Sequence, residues 1–425
     1  MNSSATGSDI RTVCIKTNGC IRRLLDSTKY AKYFEMNGCK LVDNEKNADV
    51  IIFHTCAFNE IRKDECFELI EKYNKHQGEL IITGCLPGIA PEELKKVFTG
   101  RVLVTKELEN IGDFFPGFKV KYEDVPDANC PYQTKLTLNV PWVIKKNLIS
   151  DFKLNRQYVR KLKHSAKLGL KVKKRLQKLK STGFIRISHG CVSRCAYCAI
   201  HSATGKLKSK PVEDIVAEYE NLLDQGIRNI EFAAESSGPY GLDLKTNLPA
   251  LLQRLHEVDN KKNVSVKWNL ECIDPKWTTK YMDELLKYIK LDKIDFIKAD
   301  IQSGNQRILK EMKRHYTIQD IQNLKRFREA KPDIHLRSQF IAGFPSETEG
   351  EFQDTIDLIL DIRFDTIQVF AYSDMKGTAA SRMENKVPEA VIQERLRKLQ
   401  KTLEENGYIT FYSFTCLEAV LPEAE

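Results

Sequence analysis

Three cysteines fall within eight positions in the stretch GCVSRCAYCAI: Cys191, Cys195 and Cys198. Three thiols this close together are a metal-ligand pattern, yet a structural zinc normally takes four protein ligands, usually from paired C-x2-C knuckles. No second knuckle lies nearby, although His189 or His201 could supply a fourth nitrogen and keep a zinc site open. Iron–sulfur cubes are held by cysteine thiolates, normally four of them. A cube with three leaves one iron available to a non-protein ligand.

A second set is spread more widely. Cys20, Cys56 and Cys85 lie some thirty residues apart, and each closes an apolar run: RTVCIKTNGC, ADVIIFHTC and ELIITGC. These runs read as β-strands, separated by helical patterns at Ile21–Met36, ending at Asn37-Gly38, and at about 59–75. Strand and helix in alternation imply a parallel sheet, whose strands share one carboxyl edge where sites form. That edge is where the three thiols are expected to meet.

The alternation resumes at Gly183. Strands at FIRIS, NIEFAA, SVKWNL, IDFIKADI, HLRSQFIAG and TIQVFAYS are separated by helices expected over 211–226, 246–258, 275–290, 317–330 and 347–362. The fold class is therefore α/β: an amino-terminal parallel α/β domain over 1–130, then a partial (β/α)6 barrel over 183–387 with its functional face at the carboxyl ends of the strands. A charged helix and short tail fill 388–425, and 131–182 reads as a basic linker or insert.

Composition bounds the chemistry. The chain has 425 residues, 42% apolar and 29% charged, enough for two or three domains. No run of about 18 apolar residues could span a bilayer, and no apolar leader opens the chain, so a cytoplasmic protein without membrane partners is expected. In a reducing compartment its 12 cysteines are thiols or metal ligands. The net charge of +9 is uneven, because residues 143–180 carry fourteen Lys or Arg against Asp151 alone. That leaves the remainder at about −4, from +9 minus +13.

The CxxxCxxC loop with Tyr197 before its third cysteine resembles the radical S-adenosylmethionine superfamily. ADIQSGNQRILKEMKRHYT, FIAGFPSETEGEF and FAYSDMKGTAA, with TNGC, HTCAFNEIRKDE and TGCLP in the first domain, are similar in order to segments of its methylthiotransferases. The resemblance covers nearly the whole chain except the basic insert and the tail. It implies two 4Fe–4S clusters, one on Cys191, Cys195 and Cys198 that generates the radical and an auxiliary one on Cys20, Cys56 and Cys85. S-adenosylmethionine would act both as radical source and as methyl donor, with sulfide or methanethiolate carried on the auxiliary cluster. An external electron donor such as flavodoxin or ferredoxin would supply the reducing electron. Around the cofactor the resemblance and position point to Tyr197, Glu235, Gln302, Ser303, Arg337 and Glu347, the last either touching cofactor or bracing the Gly343-Phe344-Pro345 turn. The activity implied is insertion of a methylthio group at an unactivated C–H bond.

Several positions depart from the family pattern. Arg23 stands in place of an Asn near the first cysteine, Glu235 in place of a Gln, Met375 in place of an Arg, and His201 and Thr204-Gly205 follow the radical loop. Family members acting on transfer RNA or a ribosomal protein carry a carboxyl-terminal TRAM barrel, whereas 26 residues follow Leu399 here. The expectation is that the insert at 143–180 grips the substrate instead. The favoured substrate is a peptide or protein side chain, such as a ribosomally made precursor with an acidic leader. A modified adenosine of tRNA is the alternative. Cys14, Cys39, Cys66, Cys130, Cys272 and Cys416 fall outside the ligand positions and read as packing thiols, with a substrate contact conceivable for Cys272.

Overall fold

The computed structural model describes residues 11–133, 177–413 and 415–421. By internal contacts the chain divides into two compact units. One is Met1–Val143 with His189–Cys191 and Cys198–Lys206; the other is Ile144–Ser188, Val192–Tyr197 and Leu207–Glu425. The basic insert expected at 143–180 lies outside the described residues except for 177–180, which are helical. Among the described residues no helix is long and apolar enough to cross a membrane.

The first unit is built on five parallel strands, β1 (Thr12–Thr17), β2 (Lys40–Leu41), β3 (Val50–Thr55), β4 (Glu79–Gly84) and β5 (Val102–Val104), in the order β2-β1-β3-β4-β5. Every residue of β3 is buried, as a central parallel strand requires. Alternate residues feed two cores. Val13, Ile15, Val50 and Ile52 pack with Tyr30 and Phe34 of the helix Ile21–Met36, while Ile51, Phe53 and Ile82 pack with Ile70 of the helix Glu60–Tyr73. Each such isoleucine, fully withdrawn from water, contributes about 1.5–3 kcal/mol. Residues 86–97, unassigned by periodicity, form two short helices, Leu86–Ile89 and Pro91–Val97, each with proline in its first two positions.

The second unit holds an eight-stranded sheet. Six strands run parallel: β6 (Thr182–Arg186), β7 (Asn229–Ala233), β8 (Lys267–Leu270), β9 (Ile294–Gln302), β10 (His335–Ala342) and β11 (Thr366–Ala371). Helices such as Val212–Asp224, Leu248–Lys262 and Glu349–Ile362 connect them. The helix expected over 275–290 is two, Pro275–Lys280 and Met282–Lys290, parted at Tyr281, and that over 317–330 is Ile318–Gln322 and Lys325–Ala330.

The stretch after the helix Glu389–Glu405 is more than a tail. It forms a hairpin, β12 (Ile409–Tyr412) and β13 (Cys416–Val420), that extends the sheet antiparallel to β11, with Thr366 opposite Val420. Leu417 and Ala419 are buried there on alternate positions. Along β9, Ile297, Ala299 and Ile301 face the apolar side, and the intervening Lys298 and Asp300 belong to a polar side that carries Glu271 and Arg337 as neighbours.

Candidate functional site

In the first unit the three strand-end cysteines do come together. Cys56 follows β3 directly and Cys85 follows β4, while Cys20 caps the helix Ile21–Met36 three residues after β1. The Cys85 N–H donates to Thr55 O at 3.0 Å, and the Cys56 N–H donates to Asn18 Oδ1 at 2.8 Å, so neighbouring strand ends are tied to one another. Gly84 makes the approach possible. Its φ is +98°, and a Cβ there would lie 2.4 Å from Thr55 O.

The thiols are electrostatically linked. Cys56 donates a hydrogen bond that holds Cys20 well below the usual thiol range, against burial and with help from Arg22 and Arg23. Cys56 is correspondingly raised, by that bond, by burial and by the nearby Cys20, Cys85 and Cys66. Arg23, only 1% exposed, points Nη1 at Thr105 Oγ1 (2.5 Å) and at Cys85 Sγ (4.0 Å), and pairs through Nη2 with Asp26 at 3.1 Å. Cys66 is a further thiol next to this set, and it is fully buried. Its Sγ–H donates to Cys56 O at 3.3 Å, it accepts from Asn18 Nδ2 at 3.3 Å, and burial pushes it up to about 12.

The cysteine loop follows β6. Gly190 turns it, with φ +72° and space for a Cβ denied by Lys206 O at 2.0 Å. Cys191 N–H donates to Gly205 O at 3.3 Å. Within the second unit, Ala196 is pinned on both sides: its N–H donates to Met312 O at 2.9 Å and its carbonyl accepts from Ala380 N–H at 2.8 Å. Tyr197 packs with Ala196, Ile308, Met312 and Phe344. Arg314 Nη1 donates to Cys195 Sγ at 3.2 Å. That guanidinium is itself fixed by Asp274 (2.6 Å), Asp300 O (2.6 Å) and Tyr316 Oη (2.8 Å).

The other expected residues divide. Glu235 lies two residues past β7, half-buried. Gln302 ends β9 at φ +79°, a conformation uncommon outside glycine and found at constrained sites. Arg337 on β10 donates to Gln368 Oε1 at 2.7 Å. Ser303 is fully buried, its hydroxyl committed to Thr355 and to the Asn305 N–H. Glu347 braces the turn: one carboxylate oxygen accepts from Gly343 N–H at 2.7 Å and from Arg395 Nη1 at 2.9 Å. Cys272 sits at φ +55° with Sγ accepting from Lys298 Nζ at 3.5 Å. Burial opposes the charge on Lys298, but Asp300, Cys272 and Glu271 raise its pKa above the ordinary value.

The sequence does not single out Arg314, Asp274 or Lys298 as site residues, and it marks Arg23 only as a departure from the family pattern. Each is a charged side chain whose partner is distant along the chain or hidden in a helix, and only the folded strands bring, for example, Asp274 and Arg314 together.

Both thiol sets fit an iron–sulfur group. Their donors are soft thiols outside any disulfide and sited on short strand-end loops, and in each a buried arginine is directed at one sulfur. Among the described residues no three His, Cys, Asp or Glu converge as for a single metal ion; a cluster instead places its cysteines on separate irons.

Comparison with known proteins defines the class. Residues 185–359 match the Radical SAM superfamily, and residues 12–105 match a family described as Uncharacterized protein family UPF0004. The fold is that of the radical S-adenosylmethionine methyltransferase TsrM from Kitasatospora setae, with a TM-score of 0.57 at 13% identity over 86% of this chain and 77% of that one. This is thus a radical S-adenosylmethionine enzyme, a class that carries a 4Fe–4S cluster and uses S-adenosylmethionine.

Two relatives narrow it. The ribosomal protein uS12 methylthiotransferase RimO of Desulforamulus reducens is 30% identical over 403 residues, 91% of this chain and 81% of that protein. A probable threonylcarbamoyladenosine tRNA methylthiotransferase of Pyrococcus horikoshii is 27% identical over 399 residues, 93% of this chain and 84% of the relative. The chain belongs to the radical S-adenosylmethionine methylthiotransferase family and is a transferase.

Proposed function

We propose that Cys191, Cys195 and Cys198 hold the radical-generating cluster, that Cys20, Cys56 and Cys85 hold an auxiliary 4Fe–4S cluster, and that the enzyme inserts a methylthio group into a peptide or protein side chain. The observation that carries the reading is the convergence of the three strand-end thiols, with Cys56 hydrogen-bonded to Cys20 and Arg23 directed at Cys85. When bound, such clusters supply reductive cleavage of S-adenosylmethionine and an iron that can carry a soft sulfur ligand.

The chain's own residues supply placement and charge. Arg23 and Arg314 each direct a guanidinium N–H at one sulfur of its set, a hydrogen bond of the kind that tunes a cluster ligand. Gln302 places an amide at the carboxyl end of β9, and Arg337 a guanidinium in the first half of β10 beside Lys298, groups suited to ribose hydroxyls and a carboxylate. Glu347 and Ser303 serve the turns behind them.

For the substrate, the 30% identical relative supports a protein side chain, since it is named for ribosomal protein uS12. The relative named for tRNA, at 27%, supports the second reading, a modified adenosine of tRNA. Anaerobic incubation of the reconstituted enzyme with candidate peptides and with tRNA, followed by mass spectrometry, decides. A methylthio group in place of hydrogen on the peptide supports the first reading, and the same mass change confined to the nucleoside overturns it.

A further inference from the structure

Beside the cysteine loop, within the second unit, lies a small surface pocket with a cationic rim. Lys276, Lys313 and His315 stand at its edge, all exposed, around Val192, which is 45% exposed. Lys280 adds a further charge, its Nζ over the Trp277 ring at 5.1 Å, with Lys276 over the same ring at 5.3 Å. Exposed Arg194 is in the loop itself. The acid of the pocket, Asp274, is neutralised by Arg314 at 2.6 Å. Among the described residues Lys276, Lys280 and Lys313 form no ion pair.

The floor of this pocket is the same Arg314 whose Nη1 reaches Cys195 Sγ at 3.2 Å. A single side chain therefore connects the cationic rim to a cluster thiol. From this geometry we infer that the rim around Val192 is the docking surface for an acidic one-electron carrier protein, which delivers the electron at Cys195. The inference rests on the reading of Cys195 as a cluster ligand.

The shape of the surface favours a protein carrier over nucleic acid. Weak redox encounters use small interfaces steered by opposite charge around a modest apolar centre, and Val192 with its ring of cations has that form. Nucleic acid gains affinity from many phosphate contacts along a track and from exposed aromatic platforms. Here the rim is compact, and Trp277 and Tyr281 are 6% and 4% exposed, stacked on one another rather than available to bases. In each encounter one electron leaves the reduced carrier and enters the cluster. No bond is made or broken at the surface, and the carrier departs oxidised by one electron.

The test measures cluster reduction in the reconstituted full chain by anaerobic stopped-flow absorbance. A reduced flavodoxin serves as the acidic carrier and reduced methyl viologen as a small cationic control. Lys276→Glu/Lys313→Glu is expected to slow reduction by flavodoxin about 10-fold or more at low salt and to flatten its salt dependence. Reduction by methyl viologen and iron content should not fall. Lys276→Gln/Lys313→Gln, which perturbs folding least, should give an intermediate rate. Unchanged flavodoxin rates in both variants overturn the docking surface, as does loss of tRNA affinity with the flavodoxin rate intact. A chain that assembles no cluster on residues 191–198 overturns the ligand reading together with it.

Discussion

Arg23 and Cys85 are joined across the sheet edge of the first unit, with Arg23 Nη1 4.0 Å from Cys85 Sγ and the guanidinium anchored by Thr105 and Asp26. Arg23 is 1% exposed, so its charge has no water to fall back on. Removing Arg23 strands the buried carboxylate of its ion-pair partner Asp26, at a cost of about 3–5 kcal/mol. Arg23→Ala is expected to destabilise the chain on that scale in denaturant unfolding. Arg23→Lys, which keeps the charge without the planar fork, should recover part of it. A loss under about 1 kcal/mol in Arg23→Ala would show that the pair does not carry this weight.

Gly84 offers a backbone counterpart. Its φ of +98° is open to glycine, and a Cβ would meet Thr55 O at 2.4 Å and Thr55 N at 2.7 Å. Gly84→Ala must therefore push β4 from β3 at the point where Cys85 begins. The handedness alone costs about 1–2 kcal/mol. The expected result is a lower melting temperature and loss of the iron bound by Cys20, Cys56 and Cys85, while the loop at 191–198 keeps its own; full iron content would contradict the argument.

Much of this was legible in one dimension, and the reasons are physical. Cys20, Cys56 and Cys85 could be placed on one edge because parallel strands share a direction, and apolar runs marked each strand. The helix Ile21–Met36 matches its periodic pattern residue for residue. What the sequence hid is pairing. Arg314 and Asp274 are forty residues apart, and Lys298 meets Glu271 only because β8 and β9 are neighbours. The split at Tyr281 was hidden differently, since residues 275–290 are apolar at helical spacing on both sides of a local break. Ser303, read as a ligand to cofactor from its place after β9, is turned inward by Thr355, a contact from the helix Glu349–Ile362.

The Glu347 brace has a pH signature. Burial lifts its carboxyl to about 7, outweighing the Gly343 N–H and Arg395, with Glu351 pushing the same way. Arg395 also binds Glu349 at 3.1 Å, and Glu349 is paired with Lys398, so the charges facing Glu347 are Arg395, Glu349, Lys398, Glu351 and Arg307. The folded state thus keeps a proton that the unfolded chain releases near pH 4.5. This group's contribution is fully present below about 4.5 and is lost as pH rises through about 7. Glu347→Gln should flatten the fall in unfolding free energy between those values, and an unchanged slope would refute the raised pKa.

Iron and product analysis of single cysteine variants separates the two thiol sets. The wild-type chain, reconstituted anaerobically, is expected to bind about eight iron atoms, two cubes of four. Cys198→Ala should lose about half and form no 5′-deoxyadenosine, because the radical-generating set is broken. Cys56→Ala should also lose about half, yet still form 5′-deoxyadenosine while methylthio transfer stops. Cys66→Ala is the control. Its thiol lies against the same set but donates to the Cys56 carbonyl rather than joining Cys20, so iron should stay near eight. Zinc at one equivalent in the wild type, or iron near four, would remove the two-cluster reading. Loss of iron in Cys66→Ala would move a ligand assignment from Cys56 to its neighbour.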